Sequence, residues 1–121
     1  MSLSKSASDQ SAELLKAFVA GNETFQQTYF KKHEAQLLNL VKEGQNPRAL
    51  FIGCSDSRVI PDLIIQSNPG DLFVIRNVGN FVAPYKPDED FHSTAAGIEY
   101  AVNISCHLLF PHFVGKSYFF H

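Results

Sequence analysis

The sequence predicts an α/β fold in which N-terminal helices precede a parallel β-sheet flanked by further helices. Two short, largely apolar runs bounded by turn-forming residues, at 49–53 and 72–80, have the composition of strands buried on both faces. Segments with a helical pattern separate the runs, and strands that alternate with helices are typical of parallel sheets with right-handed crossovers. A length of 121 residues fits one domain.

The composition is that of a globular protein, with 45% apolar and 18% charged residues and a formal net charge of −2. The only adjacent basic pair is Lys31 and Lys32, so we predict no nucleic-acid partner. No apolar stretch is long enough to cross a membrane, and the N-terminus has no apolar signal core. We therefore expect no membrane partner and a cytoplasmic protein, in which Cys54 and Cys106 remain thiols.

Two amphipathic helices are predicted before the core. The first ten residues are small and polar and predict a disordered tail. A helical pattern starts at Ser11 and is interrupted at Gly21, after which Asn22 is a plausible N-cap for a second helix that ends at Gly44. These two helices would form a helical arm over residues 11–44.

The predicted α/β core covers residues 45–104. It consists of two strands and two helices: a strand at 49–53, a short helix from Pro61 through Ile65, a strand running into a glycine loop at 72–80, and a helix capped by Ser93 or Thr94. In parallel sheets, chemistry collects beyond the carboxyl ends of the strands, where Cys54 and the segment 77–80 are expected. Residues 105–121 form an atypical ending to what we predict to be a single domain over residues 1–121.

Cys54 has two interpretations from the residues alone. A lone cysteine after a buried strand is commonly a small buried hydrophobe. It could instead be a thiolate that binds a metal or attacks an electrophile, which requires positive charge nearby, and Arg58 could supply it. Asp56 and Arg58 have a similar ambiguity, because a charge-assisted pair between them could simply brace the loop or could take part in catalysis.

Three motifs in order, CSDSRVIP, PGDLFVIRNVGN and STAAGIEYAV, closely resemble the β-class carbonic anhydrases. The resemblance runs from about Gln45 to Val102, and the N-terminal helices also suit that family. It implies a β-carbonic anhydrase-like α/β fold. It also implies that Cys54 ligates a catalytic zinc ion and that Asp56 and Arg58 form a catalytic dyad.

The reaction that the resemblance implies is the reversible hydration of carbon dioxide to bicarbonate. Zinc lowers the pKa of bound water from about 15.7 to about 7, so hydroxide is available at neutral pH. Asp56 would accept a hydrogen bond from that hydroxide while Arg58 holds the carboxylate away from the metal. If the pair broke, Asp56 could itself become a zinc ligand, as in some members of this family.

Other site residues follow from the same resemblance. Gln45 matches a glutamine that hydrogen-bonds substrate, although from the residues alone it is an exposed turn residue. Phe73 and Val78 match apolar pocket positions, and either could be an ordinary core residue. Family members are dimers or larger assemblies, so the resemblance also implies a homodimer or higher oligomer.

The second zinc motif of the family, His-x-x-Cys, does not occur in this sequence. We therefore expect a C-terminally truncated version of the fold with impaired activity. The segment HLLF at 107–110 could still be a strand, which makes His112 the remaining candidate for a second metal ligand. Two alternatives to the enzyme remain: a non-catalytic carbonic anhydrase-like protein, or a metal-free binder of small anions that uses Arg58 and the amides of the segment 77–80.

Overall fold

The computed structural model describes residues 5–84 and 92–104, together with the backbone of residues 108–111. The chain divides into two compact units, Met1–Lys42 and Glu43–His121. The division falls next to the predicted boundary between the helical arm and the α/β core. Each unit is described by itself below.

The first unit begins with a helix that starts earlier than predicted. Helix α1 covers Ala7–Phe25. Ser6 is its N-cap: the Ser6 hydroxyl accepts from the backbone N–H of Asp9, and the Asp9 carboxylate accepts from the backbone N–H of Ser6. This capping box satisfies two of the free donors at the helix start. The prediction of a disordered tail over residues 1–10 and a helix start at Ser11 is therefore wrong for the residues from Ala7 onward.

The predicted break at Gly21 and N-cap at Asn22 are also wrong, because α1 continues through both residues. One glycine inside a helix costs only about 1 kcal/mol relative to alanine, which good helix formers on either side can offset. The irregularity comes later, as a π-helical turn over Gln26–Phe30, before helix α2 at Glu34–Glu43. The Tyr29 ring stacks between Phe25 and His33, with centroid distances of 5.7 and 4.2 Å.

The second unit has the alternating order that the sequence predicts. Its elements are β1 (Ala49–Cys54), α3 (Pro61–Ile65), β2 (Leu72–Asn77), a 3₁₀ turn (Val78–Asn80), α4 (Ser93–Asn103) and β3 (Leu108–Pro111). The predicted strand in the HLLF segment is confirmed as β3. Helix α4 corrects one detail, since Ser93 and Thr94 lie inside the helix and His92 occupies the N-cap position without a side-chain capping bond.

The described strands form a parallel sheet of three, in the order β2-β1-β3. Leu50 is opposite Phe73 and Cys54 is opposite Asn77, so β1 and β2 end at the same edge. The predicted α/β class with N-terminal helices and a parallel sheet is confirmed. This register places Cys54 beside the segment that follows β2.

Helix α4 covers one face of the sheet. Leu50, Ile52 and Ala101 form the buried core, and Phe73, Ile75 and Ile98 pack against it. A Cβ at Gly97 would lie 3.0 Å from Cδ1 of Ile75, so the missing side chain lets α4 approach β2 closely. Among the described helices, none is both long enough and apolar enough to span a bilayer.

Candidate functional site

Cys54 is the last residue of β1, and its sulfur is directed toward backbone amides. Its Sγ accepts from the N–H of Asp56 at 3.4 Å and from the N–H of Gly79 at 3.3 Å. The residue is half-buried and its thiol is free. Cys54 is therefore not the fully buried small hydrophobe of the alternative interpretation, and two amide donors suit a sulfur that carries negative charge, as a metal-ligating thiolate does.

Asp56 and Arg58 form a bidentate pair. Nε of Arg58 donates to Oδ1 at 2.9 Å and Nη2 donates to Oδ2 at 2.6 Å. The backbone N–H of Arg58 donates to Oδ1 as well, at 2.9 Å. The side-chain hydrogen bond from Arg58, followed by the backbone one, holds the pKa of Asp56 well below its usual range. The same side-chain bond raises the pKa of Arg58.

A second arginine, Arg76 on β2, holds the backbone of the same loop. Its Nε donates to the carbonyl of Cys54 at 2.9 Å and its Nη2 donates to the carbonyl of Asp56 at 2.7 Å. The intervening Ser55 N–H donates to the carbonyl of Asn77 at 2.8 Å. The last residue of β1 and the two residues after it are thus held to β2 by hydrogen bonds from Arg76 and to Asn77.

The turn after β2 brings Gly79 to the thiol. Gly79 has a φ of 70°, in the left-handed region that glycine adopts without strain. Nδ2 of Asn77 donates to the carbonyl of Phe81 at 2.8 Å and closes the turn. Oδ1 of Asn77 is buried and has no hydrogen-bond partner among the described residues. The predicted glycine loop is therefore a positioned turn that supplies a donor to Cys54.

Two of the predicted substrate residues lie at the other end of the strands. Phe73 is the second residue of β2 and Gln45 precedes β1. Four residues along β2 separate Phe73 from Asn77, the partner of Cys54, which corresponds to about 13 Å. Both residues contact Tyr100 of α4: Nε2 of Gln45 lies 3.5 Å from its hydroxyl, and the Phe73 ring lies 5.6 Å from its ring. Gln45, Phe73 and Tyr100 form what we call the amino-edge cluster.

The remaining predicted residues have different positions. Val78 begins the 3₁₀ turn beside Gly79 and is 88% exposed, so it is not a core residue of this unit. His112 lies outside the described residues. The structure thus brings Cys54, Asp56, Arg58 and Val78 to the carboxyl edge of the sheet, and keeps Gln45 and Phe73 away from it.

The donors at the carboxyl edge fit part of a zinc site. Structural and catalytic zinc sites use at least three protein ligands, and thiolate sulfur is among the preferred ones. Within the described part of the chain, no group of three or more His, Cys, Asp or Glu side chains could hold a metal ion. Asp56 is engaged by Arg58. The described residues therefore supply one thiolate ligand of a zinc site, Cys54, and do not supply the remaining ligands.

Sequence reasoning missed Arg76 and Tyr100, and it missed the hydrogen bond from Gly79 to Cys54, although it expected the segment 77–80 near that residue. The spacing of residues within one motif carries no information on which backbone carbonyls a distant arginine reaches. Gly79 could have been found, because a glycine just after a buried strand indicates either a left-handed turn or a close backbone approach. Tyr100 is placed beside Phe73 only by the packing of α4 on the sheet.

The fold and this site define an α/β protein with a thiol and a carboxylate–guanidinium pair at the carboxyl edge of a parallel sheet. A sequence profile described as carbonic anhydrase matches residues 49–108. A carbonic anhydrase of Synechocystis is 46% identical over 88 residues, which cover 73% of this chain and 31% of that relative. One of Pseudomonas aeruginosa is 50% identical over 70 residues, or 58% of this chain and 31% of the relative.

Solved structures give the same result. The β-carbonic anhydrase CcaA has a TM-score of 0.73 and 42% identity, covering 80% of this chain and 43% of that one. A tetrameric β-carbonic anhydrase of Sordaria macrospora has a TM-score of 0.70 and 31% identity, covering 82% of this chain and 48% of its own. This chain belongs to the β-carbonic anhydrase family. It spans about a third of the length of these curated relatives.

Proposed function

We propose that this chain provides a thiolate ligand and the Asp56–Arg58 pair of a zinc site for the reversible hydration of carbon dioxide to bicarbonate, with activity impaired by the lack of a His-x-x-Cys motif. The observation that carries the proposal is the position of Cys54 Sγ, which accepts two backbone N–H groups beside the Asp56–Arg58 pair. When bound, zinc supplies a Lewis acid that lets water lose a proton near neutral pH. Cys54 would be one ligand, and the others must come from outside the described residues, where His112 is the candidate.

Asp56 is suited to orient the nucleophile in this reaction. An ionised carboxylate has about four acceptor positions. Arg58 uses three of them, two on Oδ1 and one on Oδ2. Among the described residues no bond takes the remaining position on Oδ2, so Asp56 can accept a hydrogen bond from a water nucleophile while it stays paired with Arg58. Because Arg58 keeps the pKa of Asp56 low, the carboxylate is an acceptor and not a donor at neutral pH.

The structure favours this function over a metal-free anion binder. That alternative needs Arg58 and the amides after β2 to face an anion. Arg58 instead donates to both oxygens of Asp56, and the N–H of Gly79 is directed at Cys54 Sγ. An anion would have to compete with the Asp56 carboxylate and the Cys54 sulfur for these donors. The geometry therefore gives no separate support to anion binding without a metal.

We also infer a homodimer or higher assembly, with a site shared between copies. The amino-edge cluster holds both predicted substrate residues, Gln45 and Phe73, at the other end of the strands from Cys54, which for Phe73 corresponds to about 13 Å along β2. If Gln45 and Phe73 contact substrate, they must belong to a different copy from the Cys54 that holds the metal. The tetrameric relative from Sordaria macrospora supports assembly in this family. A cytoplasmic location, where thiols stay reduced, would suit Cys54.

Metal analysis beside stopped-flow carbon dioxide hydration tests the function. If the site forms, we expect one zinc per chain, because each chain supplies one Cys54 thiolate. Cys54→Ser should lose the zinc and the hydration activity together. Cys106→Ser is the matched control, since it removes the other cysteine of the chain and should retain the zinc. Equal zinc content in the two variants, or a zinc-free wild-type chain without hydration activity, would contradict the proposal.

A further inference from the structure

We propose that Arg76 is a positioning residue that fixes the Cys54 sulfur relative to the Asp56 carboxylate by holding the two backbone carbonyls that flank Ser55. The guanidinium donates to the carbonyl of Cys54 at 2.9 Å and to that of Asp56 at 2.7 Å. Both bonds are charge-assisted, and such bonds are about twice as strong as neutral ones. Arg76 acts on the site through the backbone, since its donors meet carbonyls.

The two held carbonyls determine where the intervening groups point. With the carbonyls of Cys54 and Asp56 directed at Arg76, the peptide between Ser55 and Asp56 has its N–H available to Cys54 Sγ, at 3.4 Å. The N–H of Ser55 is held by Asn77 at 2.8 Å. A rotation of the Cys54–Ser55 peptide or of the Asp56–Ser57 peptide would break a bond to Arg76. The guanidinium therefore holds the peptides on both sides of the Ser55–Asp56 peptide and opposes motions that would move the sulfur away from the carboxylate.

The position of Arg76 in the sheet makes this contact possible. Arg76 is opposite Gly53 in the register, one residue before the strand ends. Its exposed side chain therefore needs to reach only one residue further to meet the loop. The fork geometry of arginine allows two carbonyls to be held by one side chain, whereas a lysine ammonium is a compact point charge on a flexible stem. Lysine should hold one carbonyl well and the second poorly.

Amide hydrogen exchange, measured residue by residue by NMR, tests the inference on the metal-free chain. In Arg76→Gln we expect exchange at the amides of Asp56 and Val59 to be about tenfold faster, because hydrogen bonds to charged groups shift local opening equilibria by at least that factor. Arg76→Lys should give an intermediate value. Arg48→Gln is the matched control, because Arg48 is an exposed arginine just before β1, at the opposite end of the strand.

A second readout separates positioning from general stability. After reconstitution with Co²⁺ alone, the thiolate-to-cobalt absorption should change in Arg76→Gln and be partly restored in Arg76→Lys, while the urea unfolding midpoints of Arg76→Lys and Arg48→Gln stay alike. This readout rests on the proposed metal site, whereas the exchange measurement does not, so failure of Co²⁺ binding would leave the exchange result decisive. Exchange within twofold of wild type in Arg76→Gln, or equal acceleration in Arg48→Gln, would overturn the inference.

Discussion

Arg58 donates from Nε to Oδ1 of Asp56 at 2.9 Å and from Nη2 to Oδ2 at 2.6 Å, so both carboxylate oxygens are held by one planar group. The carboxylate is more shielded than the guanidinium, with side-chain exposures of 29% and 64%. A planar two-point contact fixes the orientation of the carboxylate as well as its position. The pair therefore has a geometric role in addition to its charge.

The first prediction concerns acid stability of the metal-free protein. Because Arg58 lowers the pKa of Asp56 in the folded state, the unfolded state binds the proton more tightly. The contribution of Asp56 is fully present above its unfolded pKa, about 3.9, and is lost as pH falls below that value. Asp56→Asn should therefore show a smaller fall in urea midpoint between neutral and acid pH than wild type. Glu43→Gln, an exposed position at the end of α2, should behave as wild type.

The second prediction concerns the left-handed turn beside Cys54. A Cβ at Gly79 would meet no atom of the described residues within 4 Å, yet a φ of 70° strains any residue other than glycine. Gly79→Ala should cost about 1–2 kcal/mol of stability and weaken zinc binding about tenfold, because outer-shell donors tune metal affinity. Gly44→Ala provides the control, since Gly44 has a similar φ of 78° away from the thiol. It should lower stability alone, and equal zinc affinities in the two variants would refute a role for Gly79.

A third prediction tests the packing under β1. A Cβ at Gly53 would lie 2.6 Å from Cε1 of Phe51, whose side chain is 2% exposed. Gly53→Ala should destabilise the protein by about 1–3 kcal/mol, because the ring must move in a packed interior. In a Phe51→Leu background the same change should cost less, and chemical denaturation of the four proteins of this cycle would measure the difference. Strict additivity would show that the ring is not the obstacle.

The fourth prediction concerns the core beneath α4. Leu50 is 2% exposed and packs with Ile52 and Ala101. Leu50→Ala should lower the free energy of unfolding by about 2–5 kcal/mol through lost burial and a residual cavity. Leu63→Ala, on α3 with 60% exposure, should change it by less than about 0.5 kcal/mol. A similar loss of unfolding free energy in both variants would mean that the packing of Leu50 under α4 is not a main source of stability.

The fifth prediction tests the shared site. If Gln45 and Cys54 serve one site from different copies, Gln45→Ala chains and Cys54→Ser chains are each impaired, and mixing them should restore part of the hydration activity. Refolding the two together allows one intact site for each mixed pair. The same mixture made without refolding, kept as separate oligomers, is the control. Activity no higher than the sum of the separate variants would argue that each copy works alone.

The sequence predicts the strands well because their determinants are local. Residues 49–53 are apolar throughout and end at glycine and turn formers, so a buried strand follows directly. The sequence predicts the helical arm less well, because Gly21 and Asn22 are typical of a helix end although α1 continues through them. Their local preference is weak compared with the helix formers on either side.

The candidate site also has a part that the sequence predicts and a part that it does not. Cys54, Asp56 and Arg58 are near in sequence and close in space, so their association could be predicted from spacing. The separation of Phe73 from Cys54 depends on the register of β1 and β2, which no single segment encodes. The hydrogen bonds from Arg76 to the carbonyls of Cys54 and Asp56 depend on that register too. Contacts made by the backbone leave little trace in residue types.

The hydrogen bonds that shape the thiol, the acid and both arginines all arise within the single crossover from Gly53 to Gly79. The part of the proposed zinc site that this chain supplies is consequently specified by one continuous stretch of sequence. If residues 53–79 were moved as a whole into another parallel sheet that accepts the same two strands, these hydrogen bonds would move with them.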